Sequence, residues 1–211
     1  HHRDSRGNSS IVKAGGVQWM NAGMGIIHSE RPSKEFAEQG GEQEIIQLWI
    51  NTPATKKMNQ PIYFALQQEE MPRVNGLVGY VRVVSGEFAT QRGPAKTAFP
   101  MVTLMGELAA EDELTLEKHA GENAILYILS GQGFLKNFGL VEEKTLYSFS
   151  PEASITTLKA SNNLRFIYLS AKPLKEKVEQ YGPFVMNNQT QIMEAMRDYQ
   201  MGKMGFLVEE L

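Results

Sequence analysis

Short runs of β-branched and aromatic residues, each cut off within a few positions by glycine, proline or asparagine, set the strongest limit on how this chain can fold. Ser10-Ile11-Val12-Lys13-Ala14 stops at Gly15-Gly16, and Val17-Gln18-Trp19-Met20 stops at Asn21-Ala22-Gly23. Gly25-Ile26-Ile27-His28 leads to a break at Pro32. Glu44-Ile45-Ile46-Gln47-Leu48-Trp49-Ile50-Asn51 is the plainest strand of all and closes at Asn51-Thr52-Pro53. Asn75-Gly76 opens a run from Leu77 to Ser85. Met101 to Leu108, Ala124 to Ser130, Gly133 to Leu135, Thr145 to Phe149, Ser154 to Leu158 and Leu164 to Ala171 repeat the style. Many short strands at regular spacing with glycine turns predict an all-β chain built as barrels or sandwiches.

A length of 211 residues leaves room for two small units. Pro53 to Pro72, with Met58, Gln67 and Glu69, reads as the connector. We therefore expect one barrel over 1–72 and a second over 73–211. The tail breaks the β pattern. Between Asn188 and Gln200, Ile192, Met193, Met196 and Tyr199 recur at helical spacing. Asn187 or Asn188 can cap the start and Gly202 suits the end, so a short amphipathic helix is expected at about 188–201, with Met193 and Met196 in the core.

Composition closes off several chemistries. The chain has no cysteine, which excludes disulfides, thiolate zinc sites, iron–sulfur clusters and a cysteine nucleophile. That fits a reducing, cytoplasmic setting. A formal net charge of -3 argues against a nucleic-acid partner, which would demand a basic surface. No apolar run is long enough to span a bilayer, so no membrane partner is expected. Glu111-Asp112-Glu113 reads as a solvated acidic loop. Gly131-Gln132-Gly133 reads as a tight turn, since no helix follows it to bind a phosphate.

The stretch that can carry chemistry is His28-Ser29-Glu30. On a strand, side chains two apart share a face. One imidazole nitrogen and one carboxylate oxygen could then converge on a single divalent metal, a ligand mix that suits non-haem iron. Upstream, Gln18 and Met20 alternate with Val17 and Trp19, so one of these pairs should line the same cavity. On spacing alone, a hairpin with a surface histidine and glutamate would be the commoner outcome.

The surrounding residues shift that balance. Gly15-Gly16-Val17-Gln18-Trp19-Met20-Asn21-Ala22-Gly23-Met24-Gly25-Ile26-Ile27-His28-Ser29-Glu30 resembles the signature of the pirin family. His2-Arg3-Asp4-Ser5-Arg6-Gly7-Asn8 resembles the turn ahead of that signature. Gln47-Leu48-Trp49-Ile50-Asn51, followed by Lys56-Lys57-Met58, resembles a later strand and helix. Gly182-Pro183-Phe184-Val185-Met186-Asn187 resembles the motif before the closing helix. Four matches in family order cover nearly the whole chain.

The resemblance implies a bicupin: two double-stranded β-helix (cupin) barrels in tandem, with Fe(II) or another divalent metal in the first. It implies His28 and Glu30 as metal ligands, with Glu30 also the catalytic base. The family's other two ligands form a His-x-His pair on an upstream strand, which has no counterpart here and would fall before position 1. This chain is therefore expected to lack its first cupin strands. His1 and His2 are not expected to replace the pair, because neighbouring strand residues point to opposite faces. His119 reads as a loop residue, and the second barrel as metal-free. The implied activity is opening of a flavonol such as quercetin with O2. The alternatives are an iron-dependent regulator that binds a protein partner and a metal-free truncated homologue.

Overall fold

The structure is a computed structural model; it describes residues 1–150, 152 and 154–207. The chain is all-β with a short closing helix, and its contacts divide into two compact units. One holds residues 1–67 together with the stretch from Lys175 onward; the other is Gln68–Leu174.

Five short strands open the first unit: β1 (His2–Asp4), β2 (Ser9–Ser10), β3 (Val17–Asn21), β4 (His28–Glu30) and β5 (Ile62–Leu66). β1 lies antiparallel between β2 and β4, while β3 and β5 form a separate antiparallel ribbon. The segment Pro53 to Pro72 is thus more than a connector, because it supplies β5. Between β4 and β5 sits α1 (Lys34–Gln39), capped by the Ser33 hydroxyl accepting from the Phe36 N–H.

Glu44 to Asn51 departs from expectation. It has strong strand composition yet pairs with no described strand, and Ile45 and Trp49 stand 67% and 62% exposed. β-propensity records how well a residue fits a pleated, half-buried surface; without a neighbouring ladder it has nothing to act on.

The second unit runs through β6 (Tyr80–Ser85), β7 (Glu87–Phe88), β8 (Gln91–Arg92), β9 (Met101–Leu108), β10 (Glu113–Lys118), β11 (Asn123–Ser130), β12 (Gln132–Leu135), β13 (Gly139–Glu142), β14 (Thr145–Ser148), β15 (Ser154–Ala160) and β16 (Leu164–Ala171). Two sheets, ordered β14-β11-β16-β9-β6 and β10-β15-β12-β13, enclose one core. Period-two alternation does the sorting. Along β10, Leu114, Leu116 and Lys118 are buried while Glu113, Thr115 and Glu117 face out. Leu104, Leu126, Ile128, Leu158, Phe166 and Tyr168 fill the interior. Lys118 is tolerated there because its ammonium donates to the carbonyls of His119, Glu122 and Glu152. His119 itself lies exposed in the loop after β10.

Asp112 corrects the reading of a solvated acidic loop. It is buried, and its carboxylate accepts the N–H groups of Val78 at 2.9 Å, Gly79 at 2.7 Å and Ala109 at 2.9 Å. Burial pushes its pKa up, but the three donors outweigh that and hold it below the usual 3.8. A depressed folded-state pKa stabilises the fold above the unfolded value, and that stability is lost as pH falls through the folded one. Asp112→Ala should therefore cost at least about 1–3 kcal/mol at neutral pH, since it strands buried donors. Urea denaturation should show the gap between parent and variant narrowing as pH drops below 3.8. A gap independent of pH would contradict this account.

The chain then returns to the first unit through the hairpin β17 (Glu179–Tyr181) and β18 (Phe184–Met186) and helix α2 (Gln189–Gln200). The Asn188 side chain caps α2 by accepting from the Gln191 N–H, and Gly202 follows its end with φ +72°. The helix closes the first unit and not the second. Glu176 accepts the Ala54 N–H at 2.7 Å, and the Ser5 hydroxyl donates to the Met204 carbonyl at 2.6 Å. Ile192 is the buried residue of α2, whereas Met193, one step round the helix, is 67% exposed and outside the core. Met196 is half-buried.

Candidate metal centre

β1 and β4 pair in a register that sets His2 opposite Glu30 and Asp4 opposite His28. Directly opposed residues share a face, so all four side chains project to one side of this sheet. The ribbon of β3 and β5 supplies the opposing wall. Met20 lies opposite Tyr63, and Gln18 is two residues back on the same face. That face meets the site: the Gln18 amide donates to Glu30 Oε1, and the Tyr63 ring stacks on His2 at 3.8 Å and 6°. Trp19 and Phe64 stack on each other from the other face. The ambiguity between the two alternating pairs is thereby resolved in favour of Gln18 and Met20.

The glycines before β4 are needed for the approach. Gly23 has φ +52°, and a Cβ there would lie 2.1 Å from the Asn59 carbonyl oxygen, which accepts the next N–H, that of Met24. Gly23→Ala should lose about 1–3 kcal/mol from the backbone conformation alone, read as a lower urea midpoint.

His28 Nδ1 stands 3.5 Å from Glu30 Oε1, with the two side chains 32% and 29% exposed. The centre is therefore open on that side. His2 is 2% exposed, its ring centroid 5.7 Å from that of His28. Its Nε2 faces Asp4 Oδ2 at 3.2 Å, while its Nδ1 is buried without a hydrogen-bond partner. Donor atoms of His2, His28 and Glu30 all lie within 4.8 Å of one another, the one such three-residue group among the described residues.

Asp4 also accepts the Arg6 and Asn8 N–H groups at 2.9 and 3.0 Å and the Asn8 amide at 2.8 Å. Burial opposes its charge, yet the bonds from Asn8, His2 and Arg6 prevail and lower its pKa. The Tyr63 hydroxyl shares a 2.5 Å hydrogen bond with Ser10. Burial raises the Tyr63 pKa despite that bond, and the Glu30 and Asp4 carboxylates push it further up.

The structure thus brings His28 and Glu30 together. It also places His2, though not His1, on that face. The alternation argument holds, since His1 turns outward to Ser9, but it removes only one of the pair. His2 turns in. Tyr63 lies in the Pro53 to Pro72 segment, which reads as connector; the apolar run Ile62-Tyr63-Phe64-Ala65-Leu66 is the signal there for a strand.

Comparison with known proteins follows the same outline. Residues 1–50 match the Pirin family model, and residues 103–205 match that of the Pirin C-terminal cupin domain. Pirin-1 of Arabidopsis thaliana is 36% identical over 97% of this chain and 71% of its own length. The pirin-like protein of Solanum lycopersicum is 35% identical over 97% and 70%. A crystal structure of quercetin 2,3-dioxygenase from Acinetobacter baumannii superposes with a TM-score of 0.91 at 37% identity, covering 98% of this chain and 73% of that one.

Proposed function

The chain belongs to the pirin family, and on that premise we propose that it is a metal-dependent dioxygenase that opens a flavonol such as quercetin with O2. The observation that carries the reading is the convergence of His28 and Glu30 on one open face, inside a fold 37% identical to a protein described as a quercetin 2,3-dioxygenase.

The donor set fits a divalent metal. It offers imidazole nitrogen and carboxylate oxygen, the combination suited to Fe(II), and a buried ring nitrogen that lacks any partner in the protein. When bound, such an ion would supply Lewis-acid charge and redox chemistry toward O2. His28 would hold it through a ring nitrogen and Glu30 through a carboxylate oxygen. Gln18 fixes Oε1 of that carboxylate through its amide, which orients Glu30 to accept the flavonol hydroxyl proton. His28 and Glu30 are each about a third exposed, so a substrate could reach them, while buried His2 stacks on half-buried Tyr63. No helix among the described residues is long and apolar enough to cross a membrane.

The test is anaerobic reconstitution with Fe(II) followed by quercetin and O2, monitored by loss of flavonol absorbance. Stoichiometric iron with turnover is expected. Iron without turnover would overturn the enzyme reading in favour of an iron-dependent, protein-binding role. Failure to take up any divalent metal would support a metal-free homologue.

A further inference from the structure

We propose that the outward face of the β12–β13 hairpin is a self-association surface, on which a second copy of this chain docks about a two-fold axis. The surface belongs to the second unit and is independent of the metal centre.

Strand alternation builds it. Phe134 and Leu140 sit directly opposite each other on β12 and β13, so they share a face, while Leu135 and Val141 turn into the core. Phe134 and Leu140 are each 54% exposed, and Phe138, in the turn that joins the two strands, is 64% exposed. An apolar patch of this kind, rimmed by polar residues, marks an interaction site. The rim is present: Lys159 stands beside Phe134 on β15 and pairs with Glu111 at 2.8 Å.

The register identifies the occupant. Gln132 lies opposite Glu142, two residues to one side of the Phe134–Leu140 pair, and Lys136 lies two residues to the other side. A two-fold axis through that pair, running across the strands, exchanges the two ends. Phe134 and Leu140 then meet themselves, and Lys136 of each copy arrives at the Gln132–Glu142 end of the other. Four residues at about 3.4 Å separate the ends by about 14 Å, so each lysine reaches the other copy's acidic end and not its own. That end is shaped to receive it. Gly131, Gln132, Glu142, Glu143 and Asn162 line an open notch of about 660 Å³. Lys136, Glu142 and Glu143 are exposed and form no ion pair among the described residues, so none gives up an internal partner. A two-fold contact requires a surface complementary to itself, and one hairpin with an apolar middle, a basic end and an acidic end meets that condition. The patch is small against the about 800 Å² per partner of a standard interface, so the expected dimer is weak, with a Kd of about 10–100 µM.

Sedimentation of the 211-residue chain over about 1–1000 µM should show monomer passing to dimer and no larger species, since a two-fold contact closes. Phe134→Glu should weaken association at least about 100-fold. Lys136→Glu and Glu142→Lys should each weaken it about tenfold, because each change breaks two symmetry-related ion pairs and sets like charges together. The double exchange, Lys136→Glu with Glu142→Lys, should return the Kd to within about threefold of the parent. All three side chains are exposed, so urea midpoints at low protein concentration should hardly move. A parent that stays monomeric throughout overturns the proposal. So does a dimer that survives Phe134→Glu, which would place the contact on another face, or a double exchange that fails to restore what the single changes remove.

Discussion

Glu30→Ala is expected to reduce the metal content of the purified chain from near one equivalent to background, and to weaken divalent-metal affinity by at least about 100-fold. Glu30 is the sole carboxylate of the donor group, and two imidazoles alone cannot supply the anionic charge that draws a hard divalent ion from water. His28→Ala should fall to the same level. The loss should be specific, because both side chains are about a third exposed and neither belongs to the apolar core, so melting temperature without metal should hardly move. Glu30→Gln separates charge from shape. It keeps a group of the same size beside Gln18 but removes the anion, and it should bind metal nearly as poorly as alanine. Gln18→Ala should be milder, about tenfold, as expected of a residue that orients a ligand. Metal analysis and calorimetric titration read all four variants. A Glu30→Ala chain that retains parental metal content would remove the basis of the proposed function.

The sequence carried the centre only in part, and the reason is one of period and partner. His28 and Glu30 were legible because strand alternation puts residues two apart on one face, and the pirin-like signature around them raised a common spacing to a site. For His1 and His2 the same rule forbids both entering, and the structure sends His2 in and His1 out. Which member enters depends on the register of β1 against β4, a long-range pairing that no local pattern encodes. Tyr63 depends on a longer-range pairing still, between β3 and β5. Glu44 to Asn51 errs in the opposite direction, since its composition speaks for a strand while no described neighbour offers a ladder. Asp112 shows a third kind of miss. An acidic triplet reads as solvent-facing, but the backbone N–H groups of Val78 and Gly79 from one loop and of Ala109 from its own turn give the middle carboxylate better partners than water. The second unit was the most legible, because its strands are long enough for alternation to sort the core unaided.

That same alternation makes Phe166→Ala the most damaging core change expected in the second unit. Phe166 is fully buried on β16, the middle strand of five, opposite Gly106 of β9 on one side and Ile128 of β11 on the other. Gly106 offers no side chain to move into the space, and a Cβ there would meet the Tyr80 carbonyl oxygen at 2.4 Å, so the neighbouring strands are already as close as backbone allows. Truncation thus leaves a cavity that cannot collapse, and the expected loss is about 3–5 kcal/mol. Against a typical total of about 5–15 kcal/mol, that is enough to unfold a marginal protein near its working temperature. Leu140→Ala is the matched control. It lies in the facing sheet but is 54% exposed, and should cost no more than about 0.5 kcal/mol. Urea denaturation should show a large drop in midpoint for Phe166→Ala at unchanged slope, and almost none for Leu140→Ala. Equal losses at the two positions would mean that the inward and outward faces of this barrel have been assigned to the wrong residues.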